Sequence, residues 1–266
     1  MRPPIDAFSL RARLAPAIIA TAPSIALSGT LVTWTHFHVS QLLAGLVLTV
    51  LITAFSDFAR RHGSSVQPGI FAAMGGRPSV AMLRHRDTRI HADTKARIIR
   101  FLAQRLGENP PTPADEHTNP DSAEAFYERC VNWLSQNTRD AKTFNILFEE
   151  LITYNFRRNL LGLKTIGLYL SALTLLIAGI IALHRYLSNP SHDGSPFTLI
   201  LIVSAIHGAY FLFGVNRADV EQAATTYAKQ LLSSTDRLIN SPPAITRARR
   251  PPRPKRSNPP TDAAST

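Results

Sequence analysis

Two pairs of long apolar stretches, Leu14 to Val32 with Val39 to Phe58 and Leu163 to Leu183 with Pro196 to Val215, enclose about a hundred mostly polar residues. A run of ~20 apolar residues forms a helix of ~30 Å, the thickness of a bilayer core, and in hydrocarbon only helices and closed barrels satisfy their own backbone polar groups. The pattern predicts an all-α integral membrane protein with four transmembrane helices and a cytosolic helical domain between the second and third spans. The chain then divides into a basic leader (1–13), a first transmembrane hairpin (14–58), the helical domain (59–161), a second transmembrane hairpin (162–215), an amphipathic helix (216–240) and a basic, proline-rich, disordered tail (241–266). Ala20-Thr21-Ala22 has the small-residue spacing of a signal-peptide cleavage site, but the apolar run continues well past it, so a retained span is expected.

Orientation follows from Lys and Arg. The leader, the central loop and the tail are basic, whereas the connection carrying Trp34, His36, Phe37 and His38 has no Lys or Arg, and the turn from Leu187 to Ser195 has none either. By the positive-inside rule both termini and the central domain face the cytosol of an inner membrane. Each span carries small or hydroxylated residues four apart, Ala20/Ser24/Ser28, Gly45/Thr49/Thr53, Gly167/Ser171 and Ser204/Gly208, which allow close helix packing. His207 is the ionisable side chain well inside a span, a candidate proton relay or switch; the alternative is a neutral imidazole bonded to Ser171 or Thr174 across the interface.

Within the domain, charge is sharply divided: residues 60–106 hold ten Lys or Arg against two acids, and residues 107–156 hold nine acids against three bases. The two halves either pair with each other or present separate faces to separate partners. Gly63 to Gly76 reads as a loop. Asp93 to Leu106 reads as a helix capped by Asp93 and stopped by Gly107, with Ile99, Leu102 and Leu106 on one face. Glu108 to Pro120, with four prolines, reads as a linker. A second helix from Asp121 to Asn137 buries Ala123, Phe126, Cys130 and Trp133 or Leu134. A third begins near Arg139, shows Phe144, Leu147, Phe148, Leu151 and Ile152, and has no breaker before the third span. After Asn216, the residues Val220, Ala224, Tyr227, Leu231, Ser234 and Leu238 form a seam for a short coiled coil or for packing on the domain, and a homo-oligomer is expected.

A net charge of +11 favours anionic surroundings, whether anionic lipid, nucleic acid or a phosphorylated ligand. Guanidinium groups hold phosphate through paired hydrogen bonds, so Arg84, Arg86 and Arg89 with the juxtamembrane Arg157 and Arg158 are the candidate anion-binding residues. A lone cysteine, Cys130, excludes an intramolecular disulfide and any multi-cysteine metal site. His85-Arg86-Asp87 has the opening of a kinase catalytic loop, but Ala92 stands where that loop needs Asn. The chain has no P-loop, His-Glu-x-x-His, Gly-x-Ser-x-Gly or Gly-x-Gly-x-x-Gly, so no catalytic residue, metal or cofactor is assigned and a non-enzymatic role is expected.

Two runs, Met82-Leu83-Arg84-His85-Arg86-Asp87 and Phe156-Arg157-Arg158-Asn159-Leu160-Leu161-Gly162-Leu163-Lys164, resemble a group of bacterial multi-span membrane proteins of uncharacterised activity, over residues 10–165. That resemblance implies an inner-membrane location and no particular activity. In topology alone, the arrangement is similar to the SLATT-type membrane effectors of nucleotide-signalling antiphage systems. The expectation is a signal-responsive, pore-forming or membrane-disrupting effector whose basic cytosolic domain binds a nucleotide or oligonucleotide; the alternative is a membrane scaffold that recruits cytosolic partners.

Overall fold

The computed structural model describes residues 8–31, 41–188 and 195–240, with side chains for all of these except 41–48 and 195. The expected His36/His38 connection, the Asn189-Pro190 and Asp193-Gly194 turn, the disordered tail and the side of Gly45 lie outside the described residues. Every regular element among the described residues is helical. A π-helical segment, Ser9–Leu14, leads into α1 (Ala15–Leu31); then follow α2 (Gln41–Ala73), α3 (Pro78–Ala81), α4 (Ala92–Leu106), α5 (Pro113–Thr118), α6 (Pro120–Asn137), α7 (Asn145–Gly162), α8 (Lys164–Ser188), α9 (Ser195–Ala209) with a π-helical end (Tyr210–Gly214), and α10 (Arg217–Asn240).

Among the described residues, three helices are long and apolar enough to cross a membrane: Ser9–Leu31, Lys164–Ser188 and Pro196–Gly214. Their outward faces are apolar, with Leu176, Ile180, Leu199, Ile206 and Phe213 all exposed. A surface that apolar is costly in water and suits hydrocarbon. Between the three helices the contacts are close. Gly167 lies under the Phe211 ring, where a Cβ would come within 2.8 Å, and Ser24 Oγ meets Thr174 Oγ1 at 3.3 Å. Ala20, Ser24, Gly167, Ser171, Ser204 and Gly208 thus lie in the packed interfaces, whereas Ser28 of α1 and Thr49 and Thr53 of α2 are exposed.

The expected second span falls in α2, and α2 does not stop at its end. It runs on to Ala73, so the expected loop from Gly63 is helix. The reason is packing: α2 lies along α7, and at their crossing Gly63 and Gly162 let the two backbones meet. A Cβ on Gly162 would stand 2.4 Å from the carbonyl of His62, and one on Gly63 would stand 2.0 Å from Asn159 Oδ1. Asn159, fully buried, fastens the same point by donating from Nδ2 to Ala12 O at 2.7 Å.

Two further expectations change in detail. Asp93 sits in the first turn of α4 rather than at its cap, which is His91, while Gly107 ends the helix in the left-handed region at φ 69° as expected. The expected linker holds α5, because its prolines begin helices: Pro113 follows the N-cap Thr112, whose capping box with Asp115 is complete, and Pro120 opens α6. α7 reaches α8 across the single residue Leu163, which itself keeps helical φ and ψ, so the domain and the apolar helix α8 form one nearly continuous rod.

The domain core gathers Met82, Leu83, Ile98, Leu102, Phe126, Tyr127, Cys130 and Leu134, and α10 adds Ala228, Leu231 and Leu232. The seam on α10 therefore packs on the domain. A second cluster joins Ile70 of α2, Tyr154 of α7 and Val220, Ala223 and Ala224 of α10. α10 is the strap that holds the two long helices against the rest of the domain.

Candidate functional site

The two halves of the charged domain meet at Arg84, which forms a double hydrogen bond to Glu124 at 2.8 and 2.6 Å and donates a third to Gly75 O. The bonds to Glu124 raise the guanidinium pKa; burial opposes them, and the charges of Glu124, Glu116 and Asp87 add to the rise. Arg89 is turned onto Asp87 at 2.8 and 2.5 Å. Burial pushes the Asp87 carboxyl up, but the hydrogen bonds and charge of Arg89, with Lys95, outweigh it and hold the group below its ordinary range. Lys95, almost fully buried, donates to Arg84 O and Asp87 O, and desolvation lowers its pKa against the pull of Asp87. Arg86 is exposed, on a cleft that also holds Glu116, Asp121 and Glu124. The basic run thus folds into a carboxylate-rich setting.

Arg157 donates to Asp219 O at 3.2 Å and stands 3.8 Å from that residue's carboxylate. Arg158 goes elsewhere. It lines a cavity of about 270 Å³ formed where α2, α3, α7 and α10 meet, a different hollow from the one beside Arg84 and Arg86. The structure therefore does not assemble the five arginines into one site.

The cavity beside Arg158 has a distinct chemistry. Arg77 and Arg158 bring two guanidinium groups, Gln67 and Asn155 bring amides, and the lining holds no carboxylate. Its wall is an aromatic column: Phe71, Tyr154 and Tyr227 lie nearly parallel, with successive centroids 6.5 and 6.1 Å apart and interplanar angles of 11° and 9°. Arg158 sits 5.6 Å from the Tyr154 ring centroid, the geometry of a cation–π contact, and donates to Gln67 Oε1 at 2.6 Å and Asn159 Oδ1 at 3.2 Å.

Two buried polar atoms here have no protein partner, Tyr154 Oη and Arg158 Nε. Tyr154 is only 6% exposed, and the group its hydroxyl faces is the Arg158 guanidinium, which acts on it as a donor without forming a hydrogen bond of good geometry. Burial raises the phenol pKa of Tyr154, opposed by the charge of Arg158, by hydrogen bonding from Arg158 and by the charge of Arg77; burial does the same for Tyr227, opposed by Arg77. Both phenols therefore remain neutral hydrogen-bond donors beside two fixed cations.

Arg77, Tyr154 and Tyr227 are functional candidates that sequence patterns do not single out. Arg77 reads as one more charge in a basic run, and Tyr227 as a seam residue. Cys130 is no nucleophile, since it is fully buried and desolvation pushes its thiol up to about 12. His85 bonds Pro111 O at 3.0 Å through Nε2, and its backbone N–H donates to Glu116, so the His-Arg-Asp run clasps the α5 loop.

In the helix bundle His207 is bonded at both nitrogens, Nδ1 to Ser171 Oγ at 2.7 Å and Nε2 to Ile19 O at 2.6 Å. A carbonyl only accepts, so Nε2 carries a hydrogen; the single hydroxyl hydrogen of Ser171 lies between His207 Nδ1 and Gly167 O, the latter 2.8 Å away. The side chain ties α9 to α8 and α1. Compared with protein-family models, curated proteins and solved structures, the chain matches none.

Proposed function

We propose that the chain is a four-span inner-membrane protein, with both termini and the helical domain in the cytosol, that responds to a small anionic ligand held between Arg77, Arg158 and Tyr154. The observation that carries this reading is the pair of buried, unpartnered donors, Tyr154 Oη and Arg158 Nε, in a carboxylate-free cavity. Two guanidinium groups and a neutral phenol are suited to a phosphate or carboxylate. A volume of about 270 Å³ favours one such group with a small body over an oligonucleotide, because drug-sized ligands occupy ~300–1,000 Å³.

Position supports a membrane response. Arg158 lies less than two turns before α8, and Gln67 lies on the same continuous helix as the second apolar stretch. A ligand that draws Arg158 away from Gln67 changes the α2–α7 contact, and both helices carry that change toward the bundle. The ligand shifts the membrane state only by its difference in affinity for the two arrangements.

The test is calorimetric titration of the detergent-purified chain with inorganic phosphate, nucleoside monophosphates and cyclic dinucleotides, repeated on Arg158→Gln and Tyr154→Phe. Binding by wild type with at least ten-fold loss in Arg158→Gln is expected. A folded Arg158→Gln variant that binds equally well refutes the site. Absence of any binding by wild type turns the reading to the scaffold alternative, which the internal pairing of Arg84 and Arg89 favours. In cells, induced expression with a membrane-potential dye separates the two, since a scaffold leaves the potential unchanged.

A further inference from the structure

The N-terminal helix contains two prolines, and each leaves a gap in its hydrogen-bond ladder. Proline has no N–H, so it cannot serve the carbonyl four residues before it. Pro16 leaves the α-helical bond to Ala12 O unmade, and Pro23 does the same for Ile19 O. Both carbonyls are taken by side chains from other helices: Asn159 Nδ2 of α7 donates to Ala12 O at 2.7 Å, and His207 Nε2 of α9 donates to Ile19 O at 2.6 Å. Ala12 and Ile19 lie two turns apart on one face of the helix, about 10 Å along its axis.

The Asn159 end is also tied to the cavity. Its amide oxygen accepts from Arg158 Nη2 at 3.2 Å, while Nε of that guanidinium has no hydrogen-bond partner. Nε and Nη2 form one edge of the group, the edge by which Arg84 grips Glu124 at 2.8 and 2.6 Å. An oxyanion on this edge of Arg158 makes charge-assisted bonds about twice as strong as neutral ones and competes with Asn159 for Nη2. Asn159 is held in place by having both ends of its amide engaged, so the loss of one bond weakens the other.

We propose that the N-terminal helix is the moving part of the anion response: Asn159 and His207 latch it through the carbonyls that Pro16 and Pro23 release, and an oxyanion on the Nε and Nη2 edge of Arg158 opens the Asn159 latch while His207 remains as the pivot. The trigger rests on the anion reading of the Arg158 cavity; the latch rests on the two carbonyl bonds.

The experiment follows hydrogen exchange of residues 8–20 by mass spectrometry in the detergent-purified chain. Asn159→Leu strips a buried carbonyl of its donor and speeds exchange about ten-fold; Pro16→Ala restores an N–H at that position, and in its background the effect of Asn159→Leu falls to about two-fold. His207→Leu likewise loses part of its effect in Pro23→Ala. Where Asn159→Leu alone does not fold, recovery of the fold by Pro16→Ala is the same result. Equal effects in both backgrounds, at either pair, overturn the latch. The measurement is repeated with inorganic phosphate, a nucleoside monophosphate and a cyclic dinucleotide, the probes of the titration above. A probe that binds speeds exchange in wild type and leaves Arg158→Gln unchanged. Binding without a change in exchange overturns the trigger and leaves the anion reading intact, whereas no binding by any of the three overturns both.

Discussion

The α2–α7 crossing is where the fold has least tolerance, and Gly162→Ala probes it directly. An ideal Cβ on Gly162 stands 2.4 Å from His62 C and O and 2.6 Å from Gly63 N, against 3.4–4 Å for ordinary contact. The obstructing atoms are backbone, so no side chain can swing away, and the two helices must part by about 1 Å. A gap of 0.5–1 Å already forfeits about a quarter to a half of each dispersion contact. The contacts at stake include those of the fully buried Ala59 and Leu163 and the hydrogen bond from Asn159 to Ala12 O. Overpacking of this kind costs ~1–3 kcal/mol, and the gain in helix propensity from Gly to Ala, at most ~1 kcal/mol, is reduced because Gly162 is the last residue of α7. A net loss of about 1–2 kcal/mol corresponds to an apparent Tm lower by roughly 2–8 °C for a chain of this size. The control is Gly208→Ala, whose Cβ would sit 3.6 Å from Ser171 Cβ in ordinary contact and inside a helix, and which should leave Tm unchanged or raise it. Thermal unfolding in one detergent, followed by circular dichroism at 222 nm, compares the two. A Gly162→Ala protein as stable as Gly208→Ala would show that the helices do not meet at this point.

Replacing Asn159 by Leu leaves the buried Ala12 carbonyl without its donor and should cost ~1–3 kcal/mol, read as faster limited proteolysis of the N-terminal segment. Asp87 has a folded pKa below its ordinary 3.8, so its stabilisation is present above that value and is lost as pH falls through the folded pKa; Asp87→Asn should be less stable at neutral pH and show a flatter acid limb below about pH 4. With its thiol pushed up to about 12, Cys130 is thiolate in only about one molecule in ten thousand at pH 8, so maleimide labelling should be negligible in the folded protein and rapid in denaturant. Reporter fusions at His117 and after Thr266 should be active in the cytosol and those at Val39 and Ser191 across the membrane; a periplasmic signal from His117 would invert the proposed orientation and its partners.

Apolar length and period made the coarse fold legible. α4 and α6 lie within a residue or so of where their stripes place them, and Ala123, Phe126, Cys130 and Leu134 are buried as their spacing requires. The rest depended on partners distant in sequence. Gly63 and Pro68 carry the local signature of a loop, yet α7 overrides it by giving a helix at that place a backbone to pack against. The prolines of 108–120 misled for a different reason, since proline at a first helical position begins a helix as readily as proline in the interior ends one. A capping box at Thr112 was the available local sign of α5.

The candidate site was legible in only one of its members. Juxtamembrane position alone marked Arg158, but Arg157 carried the same mark and is turned to Asp219, and a helix period sends adjacent residues to different faces. Arg84 and Arg89 were rich in promise because charge runs say nothing about who sits opposite; Glu124, forty residues on, decides the matter for Arg84. What distinguishes the Arg158 cavity is an imbalance that only three dimensions expose. Donors from residues 77, 154 and 158 converge with no acid among them, and two buried donors lack an acceptor. Elsewhere the fold supplies such acceptors itself, as Glu124 does for Arg84 and Ile19 O does for His207. In the proposed reading, a carboxylate-free lining with two guanidinium groups is what suits this cavity, among the described residues, to an anion from outside.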